Sequence, residues 1–442
     1  MSKNKVLKNI SSLFLVQLAN YLFPMVSLPI IVRIIGAENF GLINYASSIV
    51  LYCVLLINYS FSLTATKKIA QSPNDTQLLN RVFSEVMGAK LFLLLISLIG
   101  FTAAMVYIDE MREHWQVMWF SFMLCLGTVL MPDWVFQGRQ KLDKLAYFNL
   151  VIKVLFTISV LLFVRNKDDY FYQPLVMSIS QALIAVLAIY YLTRREGLKL
   201  RWPQWPNVFQ MLKEDRVIFL SLLVTSLYVT TNTVVLGAVS SPAEVGYFSA
   251  AHRFIIIEYS LLTVPLSMSL YPFICSSFSS DENNGLKIVR RIFPLVVALT
   301  LICGFATWVA GPFFVELFYG REFLPSKAMF QVMCFIPFLM LINNLLGAQV
   351  MLNLGLQRQY LVISFAITGV SVMINFTMSS HYGGMGASYA NLLTEICFTI
   401  ILSAYLYIKR VSVIDLNMFR PYLLSREIKY LLSGNNFIKR RA

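Results

Sequence analysis

The sequence predicts an all-α polytopic membrane protein, with twelve transmembrane helices in two six-helix bundles related by a parallel pseudo-two-fold repeat. Three observations carry that prediction. Of 442 residues, 58% are hydrophobic and only 13% charged, and the mean hydropathy of +0.68 is too high for a soluble multidomain chain. Apolar runs of about 20 residues, the length that crosses a bilayer, recur from end to end. The Lys and Arg residues collect in alternate loops. A formal charge of +14 alone could suit nucleic acid, but this placement suits a membrane surface.

Taken in order, the basic start with Lys3, Lys5 and Lys8 shows no small-residue cleavage pattern and reads as the uncleaved lead into the first span. Spans at 13–35 and 40–63 are followed by a basic loop with Lys67, Lys68 and Arg81. Spans at 85–107 and 115–136 flank a short acidic loop with Asp109, Glu110 and Glu113. A basic loop at 138–144 precedes spans at 150–164 and 171–192. The stretch 191–216 is the longest polar and basic segment between two apolar blocks, and it carries Trp202 and Trp205 among six Lys and Arg. Such a mixture suits a loop at a negatively charged membrane surface. It divides the chain into an N-terminal bundle (1–193), a linker (194–216) and a C-terminal bundle (217–408). The second bundle holds spans at 217–239, 245–273, 292–314, 329–352, 360–378 and 385–407. A basic tail, 409–442, closes the chain, with a surface-lying amphipathic turn expected at 422–432.

With the N-terminus in the cytoplasm, 27 Lys and Arg fall in inside segments and six in outside ones, while Lys90, Lys153 and Arg253 lie within spans. That asymmetry predicts cytoplasmic termini, and an even number of spans per half makes any repeat parallel. A trace of one is visible. Phe40-Gly41 with Ala46 at the second span is matched by Val245-Gly246 with Ala251 at the eighth, which aligns Arg253 with Ser48. The six cysteines, Cys53, Cys125, Cys275, Cys303, Cys334 and Cys397, sit in apolar runs without ligand spacing, so neither a disulfide framework nor a zinc site is expected.

Ionisable groups at membrane depth are candidate functional residues, because a charge there costs about 2.5–3.5 kcal/mol unless water or a partner receives it. Arg253 in the eighth span, preceded by His252, is either a cavity-lining cation or a snorkelling one. Lys90 and Lys153 lie nearer the inner surface, where the same two readings apply. Glu258 lies five positions after Arg253 and so does not stack on it. Glu395, mid-span with no cation nearby in sequence, suits either a protonatable coupling or gating group, a role Glu258 shares, or a hydrogen-bonded carboxyl between helices. Polar stripes at Gln17 and Tyr21, and at Tyr228 and Asn232, could line a hydrophilic cavity or join helices. There is no P-loop, metalloprotease motif, nucleophile elbow or dinucleotide loop, and no channel filter. A carrier, not an enzyme, is predicted.

Three segments carry a family resemblance: the run from Pro29 through Arg33, Gly36 and Gly41 to Ala46; Pro132-Asp133-Trp134-Val135-Phe136-Gln137-Gly138; and Leu236-Gly237 through Gly246 to Ala251. Together they resemble the polysaccharide transporter, or O-antigen flippase, family of the multidrug/oligosaccharidyl-lipid/polysaccharide exporter superfamily. The resemblance implies a V of two bundles. Its cavity would take an undecaprenyl-diphosphate-linked oligosaccharide, moved from the cytoplasmic to the periplasmic face of a bacterial inner membrane by alternating access. Arg253, Lys90, Gln17, Tyr21, Tyr228, Asn232, His252 and Lys153 would contact substrate, with Arg253 on the diphosphate. It further implies no cofactor, a proton or sodium gradient or product consumption as the driving force, and membrane lipids, a polysaccharide polymerase and a chain-length regulator as partners, with no nucleic acid. Many relatives carry an Asp where this chain has Asn232, which weakens a coupling role there. A cation-coupled drug or metabolite exporter and a lipid II flippase are the alternatives.

Overall fold

The computed structural model describes the backbone of residues 3–199 and 201–413, and side chains over that range except at 3–26, 225, 229, 264–273, 279 and 280. Gln17 and Tyr21, and the amphipathic turn expected at 422–432, therefore lie outside the described residues. Every regular element described is helical. The α-helices are α1 (Lys3–Asn58), α2 (Phe61–Gln71), α3 (Thr76–Tyr107), α4 (Asp109–Glu113), α5 (Trp115–Phe122), α6 (Leu124–Leu130), α7 (Asp133–Gly138) and α8 (Leu142–Phe163), then α9 (Tyr172–Arg195), α10 (Trp205–Val239), α11 (Pro242–Ser280), α12 (Glu282–Tyr319), α13 (Pro325–Met333), α14 (Ile336–Asn344) and α15 (Gln357–Ile408).

The chain is an all-α, polytopic membrane protein. Among the described residues eight helices are long and apolar enough to cross a bilayer, or nine if the pair Trp205–Tyr228 and Thr230–Val239, bent by 54°, forms one span. This count differs from the predicted twelve, and in two places a pair of predicted spans falls largely within one continuous helix, α1 and α15. Two of the eight, Ser27–Gln71 and Gln357–Ile408, each hold one non-helical residue, Gly36 (φ 80°) and Gly383 (φ 56°). A positive φ is cheap only for glycine, and both breaks fall where the hydropathy pattern separates two spans. Exposed apolar side chains such as Leu95, Ile99, Leu162 and Phe305 reach 71% exposure at Ile99, as expected where hydrocarbon replaces water as the solvent.

The chain divides into two compact units, Met1–Ser249 with Phe318–Glu322, and Ala250–Leu317 with Phe323–Ala442. In the first, α1 packs on α8, α3 and α10, α6 on α9, and α2 on α7. Its core gathers Phe61, Phe83, Trp134, Phe136, Ile184 and Leu192. Trp134 is buried against Phe83, with ring centroids 5.8 Å apart, so the second of the three resemblance segments supplies packing. In the second unit α13 and α14 pack on α15.

The basic stretch after α9 is pinned to the first unit. Glu196 accepts hydrogen bonds from Arg139 (2.6 Å) and Lys141, the amide of Lys199 donates to Asn80 Oδ1 at 2.7 Å, and Pro203 fills the space above Gly88. The linker is shorter than its composition suggests, because α10 starts at Trp205 with Pro206 in its first turn and carries Lys213 and Arg216 as helical residues. Burial raises the Glu196 carboxyl, but hydrogen bonds and charge from Lys141 and Arg139 outweigh it and hold the group below its ordinary value. A depressed carboxylate contributes stability that is present above the ordinary carboxylate range and lost as pH falls through the depressed value. Glu196→Gln should therefore cost about 1–2 kcal/mol at pH 7, after discounting for solvent screening, and the difference from the unaltered chain should vanish in acid. Thermal melts of purified protein between pH 7 and pH 3 measure this; an equal difference at both ends would exclude the ion cluster as its source.

Candidate functional site

Two polar assemblies and a close backbone crossing are built into these helices. The crossing joins the segments that sequence pairs as a repeat. A Cβ on Gly41 would stand 1.7 Å from the Pro242 carbonyl oxygen and 2.8 Å from the Gly246 nitrogen, and one on Gly246 would stand 2.0 Å from the Ala37 carbonyl oxygen. The start of α11 thus lies backbone to backbone on the part of α1 beyond Gly36. One helix turn further, Gly237 leaves room for the Tyr45 ring. Small residues let membrane helices approach closely enough for van der Waals contact to hold them where no hydrophobic force acts. The break at Gly36 is capped from outside α1: Glu322 accepts the Ala37 amide at 2.8 Å, and Asn39 donates to the carbonyls of Ile35 and Lys167.

The first polar assembly lies in the second unit. Glu395 on α15 is 2% exposed, and its Oε2 accepts from Asn343 Nδ2 of α14 at 2.8 Å. Thr399 donates both to Asn343 Oδ1 (2.8 Å) and to the Glu395 carbonyl (2.9 Å), closing a buried ring of hydrogen bonds. Two residues beyond Asn343, Leu345–Met351 form a π-helical turn that presents the buried Gln349, and Gly347 there admits the Tyr360 ring. Tyr259 and Tyr360 lie within electrostatic reach of Glu395. A π-turn beside a buried carboxyl is a common mark of a functional segment, since the extra residue re-aims side chains at the cost of helical hydrogen bonds. Sequence reading left Glu395 without a partner; the structure supplies one 52 residues away.

The second assembly is at Lys90 in the first unit. Its ammonium is 2% exposed and donates to the carbonyls of Thr128 (3.0 Å) and Met131 (3.4 Å), with Asp133 in electrostatic range. Those carbonyls are freed where Pro132 separates α6 from α7, so Lys90 satisfies a helix break at membrane depth. Elsewhere Lys153 is half-buried on α8, Tyr228 half-buried and Asn232 buried on α10, and His252 half-buried on α11. Arg253 is exposed and forms no ion pair among the described residues. Glu258 accepts from Thr307 of α12 at 3.3 Å. Asn343, Thr399, Gln349 and Thr307 were not singled out by sequence; a polar residue opposite each buried carboxyl is the signal, but finding it needs the pairing of distant helices. No group of three or more His, Cys, Asp or Glu residues able to hold a metal occurs among the described residues.

Comparison with known proteins gives a consistent picture. A family model described as "Polysaccharide biosynthesis protein" matches residues 6–278. A protein of Escherichia coli (strain K12) named "Putative O-antigen transporter" is 26% identical over 407 residues, which are 91% of this chain and 97% of that protein. A capsular polysaccharide biosynthesis protein, CapF, of Staphylococcus aureus is 20% identical over 92% of this chain and all of its own length. Among solved structures, the lipid II flippase MurJ in an inward closed conformation superposes with a TM-score of 0.72 at 12% identity, covering 96% of this chain and 94% of its own. An inward-facing multidrug resistance MATE family transporter of the MOP superfamily gives 0.62 at 12% identity, with 93% and 99% covered. What these two structures share with the chain is the fold.

Proposed function

The chain belongs to the polysaccharide biosynthesis protein family, and from that membership we propose that it is a flippase for an undecaprenyl-diphosphate-linked oligosaccharide, such as an O-antigen repeat unit. It moves this lipid from the cytoplasmic to the periplasmic face of the inner membrane by alternating access. The names of the E. coli and S. aureus relatives support a surface-polysaccharide substrate, and the fold it shares with a lipid II flippase supports lipid-linked cargo. The observation that carries the reading is Arg253, an exposed guanidinium within an apolar helix. Sugars and a diphosphate cannot cross hydrocarbon unaided, and a guanidinium fork binds phosphate oxygens in a bidentate way. His252, beside Arg253 on α11, is a further proposed substrate contact, and within the first unit so are Tyr228, Asn232 and Lys153, while Lys90 holds the helix break at Pro132.

The proposed architecture is twelve segments in two bundles, which the breaks at Gly36 and Gly383 support, since a 56-residue helix of about 84 Å is far longer than a core of about 30 Å. Both termini then lie in the cytoplasm, as the distribution of Lys and Arg favours. Glu395, held by Asn343 beside the π-turn, is the proposed coupling or gating group, and a polymerase working on the outer face would consume the product. Deleting the gene in its native host tests the reading. The lipid-linked repeat unit should accumulate on the cytoplasmic face while surface polysaccharide disappears. Intact surface polysaccharide with an unchanged lipid-linked pool would sink it, and accumulated lipid II or lost export of small molecules would favour one of the alternatives.

A further inference from the structure

We propose that the first unit holds a binding site for the headgroup of an ethanolamine phospholipid, in a cavity between the start of α3 and the stretch that follows α9. The cavity, about 360 Å³, is lined by Asp75, Arg81 and Glu85 on one side and by Arg201, Trp202 and Gln204 on the other. That volume falls within the range of small-molecule sites, about 300–1,000 Å³. The wall opposite α3 is fixed at both ends. Before Arg201 and Trp202 the Lys199 amide donates to Asn80 Oδ1 at 2.7 Å, and after them Pro203 lies where a Cβ on Gly88 would stand 2.6 Å from it. Asn207 closes the edge, donating to Glu85 Oε1 at 3.2 Å and to Gln204 Oε1 at 2.9 Å.

Both signs of charge line this cavity, and both have capacity left. Neither Arg81 nor Arg201 has an ion pair or side-chain hydrogen bond among the described residues. Asp75 uses Oδ1 on the amides of Gln77 and Leu78, and Glu85 uses Oε1 on Asn207, so the second oxygen of each carboxylate has no partner among the described residues. The fitting ligand brings a negative group to two guanidiniums and a positive one to two carboxylates. A phosphodiester with a primary ammonium a few bonds away does both, since guanidinium forks take phosphate oxygens and ammonium N–H groups donate to carboxylates. An acidic phospholipid would meet the arginines but be repelled by the carboxylates. A choline headgroup has no N–H to donate, and a metal ion would leave the arginines unmet. A soluble phosphate ester of ethanolamine shares the chemistry, and the surroundings decide for the lipid. The outer surface of α3 changes character beside the cavity: Thr76, Gln77 and Arg81 are its exposed residues up to Lys90, and Leu91, Leu95 and Ile99 are exposed beyond. Trp202 is 91% exposed, and indole rings favour the level where headgroups meet hydrocarbon. On α10 the exposed rings of Trp205 and Phe209 follow, 6.2 Å apart, and Phe209 meets Phe92 of α3 at 5.4 Å. A headgroup in the cavity thus places its acyl chains along this apolar surface.

The site stands apart from the flippase reading, and its test reads no transport. Full-length protein, stripped of lipid in detergent, is titrated with dioleoyl phosphatidylethanolamine, phosphatidylglycerol or phosphatidylcholine, or with water-soluble glycerophosphoethanolamine, and the bound species are measured by native mass spectrometry. The ethanolamine lipid should bind at least tenfold more tightly than each of the other three. Glu85→Gln should bring it down to the level of the choline lipid. Arg201→Glu, at an exposed side chain with no internal partner, should remove the preference while leaving the fold intact, and it decides the matter if the glutamine variant fails to fold. Choline or glycerol lipid bound as tightly as ethanolamine lipid overturns the proposal, as does an unaltered preference in folded Arg201→Glu protein. Glycerophosphoethanolamine bound as tightly as the lipid would assign the cavity to a soluble ligand and overturn it equally.

Discussion

Replacing Gly246 with leucine is expected to remove almost all folded protein from the membrane fraction. The first atom of any side chain there would stand 2.0 Å from the Ala37 carbonyl oxygen, and the opposing Gly41 is itself blocked by the Pro242 carbonyl at 1.7 Å. Both obstacles are backbone, so no rotamer change relieves them. Separating the helices would forfeit the contacts on both sides of the crossing, including Tyr45 against Gly237. Overpacking in a core that can adjust costs about 1–3 kcal/mol, and a backbone-to-backbone contact has less room to adjust. Even alanine at 246 should lower abundance several-fold. Gly100 provides the control, because nothing lies within 4 Å of its would-be Cβ and Gly100→Leu should leave abundance unchanged. Fluorescence-detected size exclusion of tagged variants reads both; a monodisperse Gly246→Leu protein at normal yield would show that the crossing is dispensable.

That crossing was half legible in the sequence. The spacing of Gly41 and Ala46 against Gly246 and Ala251 sets two segments in correspondence, but gives no sign that they touch, since contact between distant helices leaves no local periodic mark. The breaks at Gly36 and Gly383 were legible because glycine falls at a lapse in the apolar pattern, where a positive φ is affordable. The π-turn Leu345–Met351 was not, as hydropathy is blind to which carbonyl an amide chooses. Lys90 shows the same limit. Sequence left it either a cavity-lining or a snorkelling cation, because its burial and its partners, carbonyls freed by Pro132 some forty residues away, come together only in the fold. Composition likewise placed residues 205–216 in the linker, whereas they form the first turns of α10, because a helix leaving the membrane surface can be as polar as a loop.

Arg253→Ala is expected to abolish surface polysaccharide while leaving the protein folded and inserted. Arg253 lies eleven residues into α11, about 16 Å along the helix, and its side chain is exposed without an ion pair among the described residues. An exposed guanidinium facing lipid at such depth would cost about 2.5–3.5 kcal/mol, so its removal should not destabilise the fold through a lost internal pair. The cost is offset if the group meets a phosphate instead, and Ser48, which the match of Phe40-Gly41 with Val245-Gly246 sets against Arg253, bonds to its own helix at Asn44, so the aligned position does not itself demand a cation. Arg253→Lys keeps the charge and loses the bidentate fork, and should retain partial transport. Measuring surface polysaccharide and membrane abundance on the same cells separates this role from a structural one, which predicts that both fall together. Normal polysaccharide from a well-expressed Arg253→Ala protein would end the phosphate-binding assignment, since no redundant cation on α11 stands close enough to replace it: His252 points from the neighbouring position on the helix, 100° away by helical geometry.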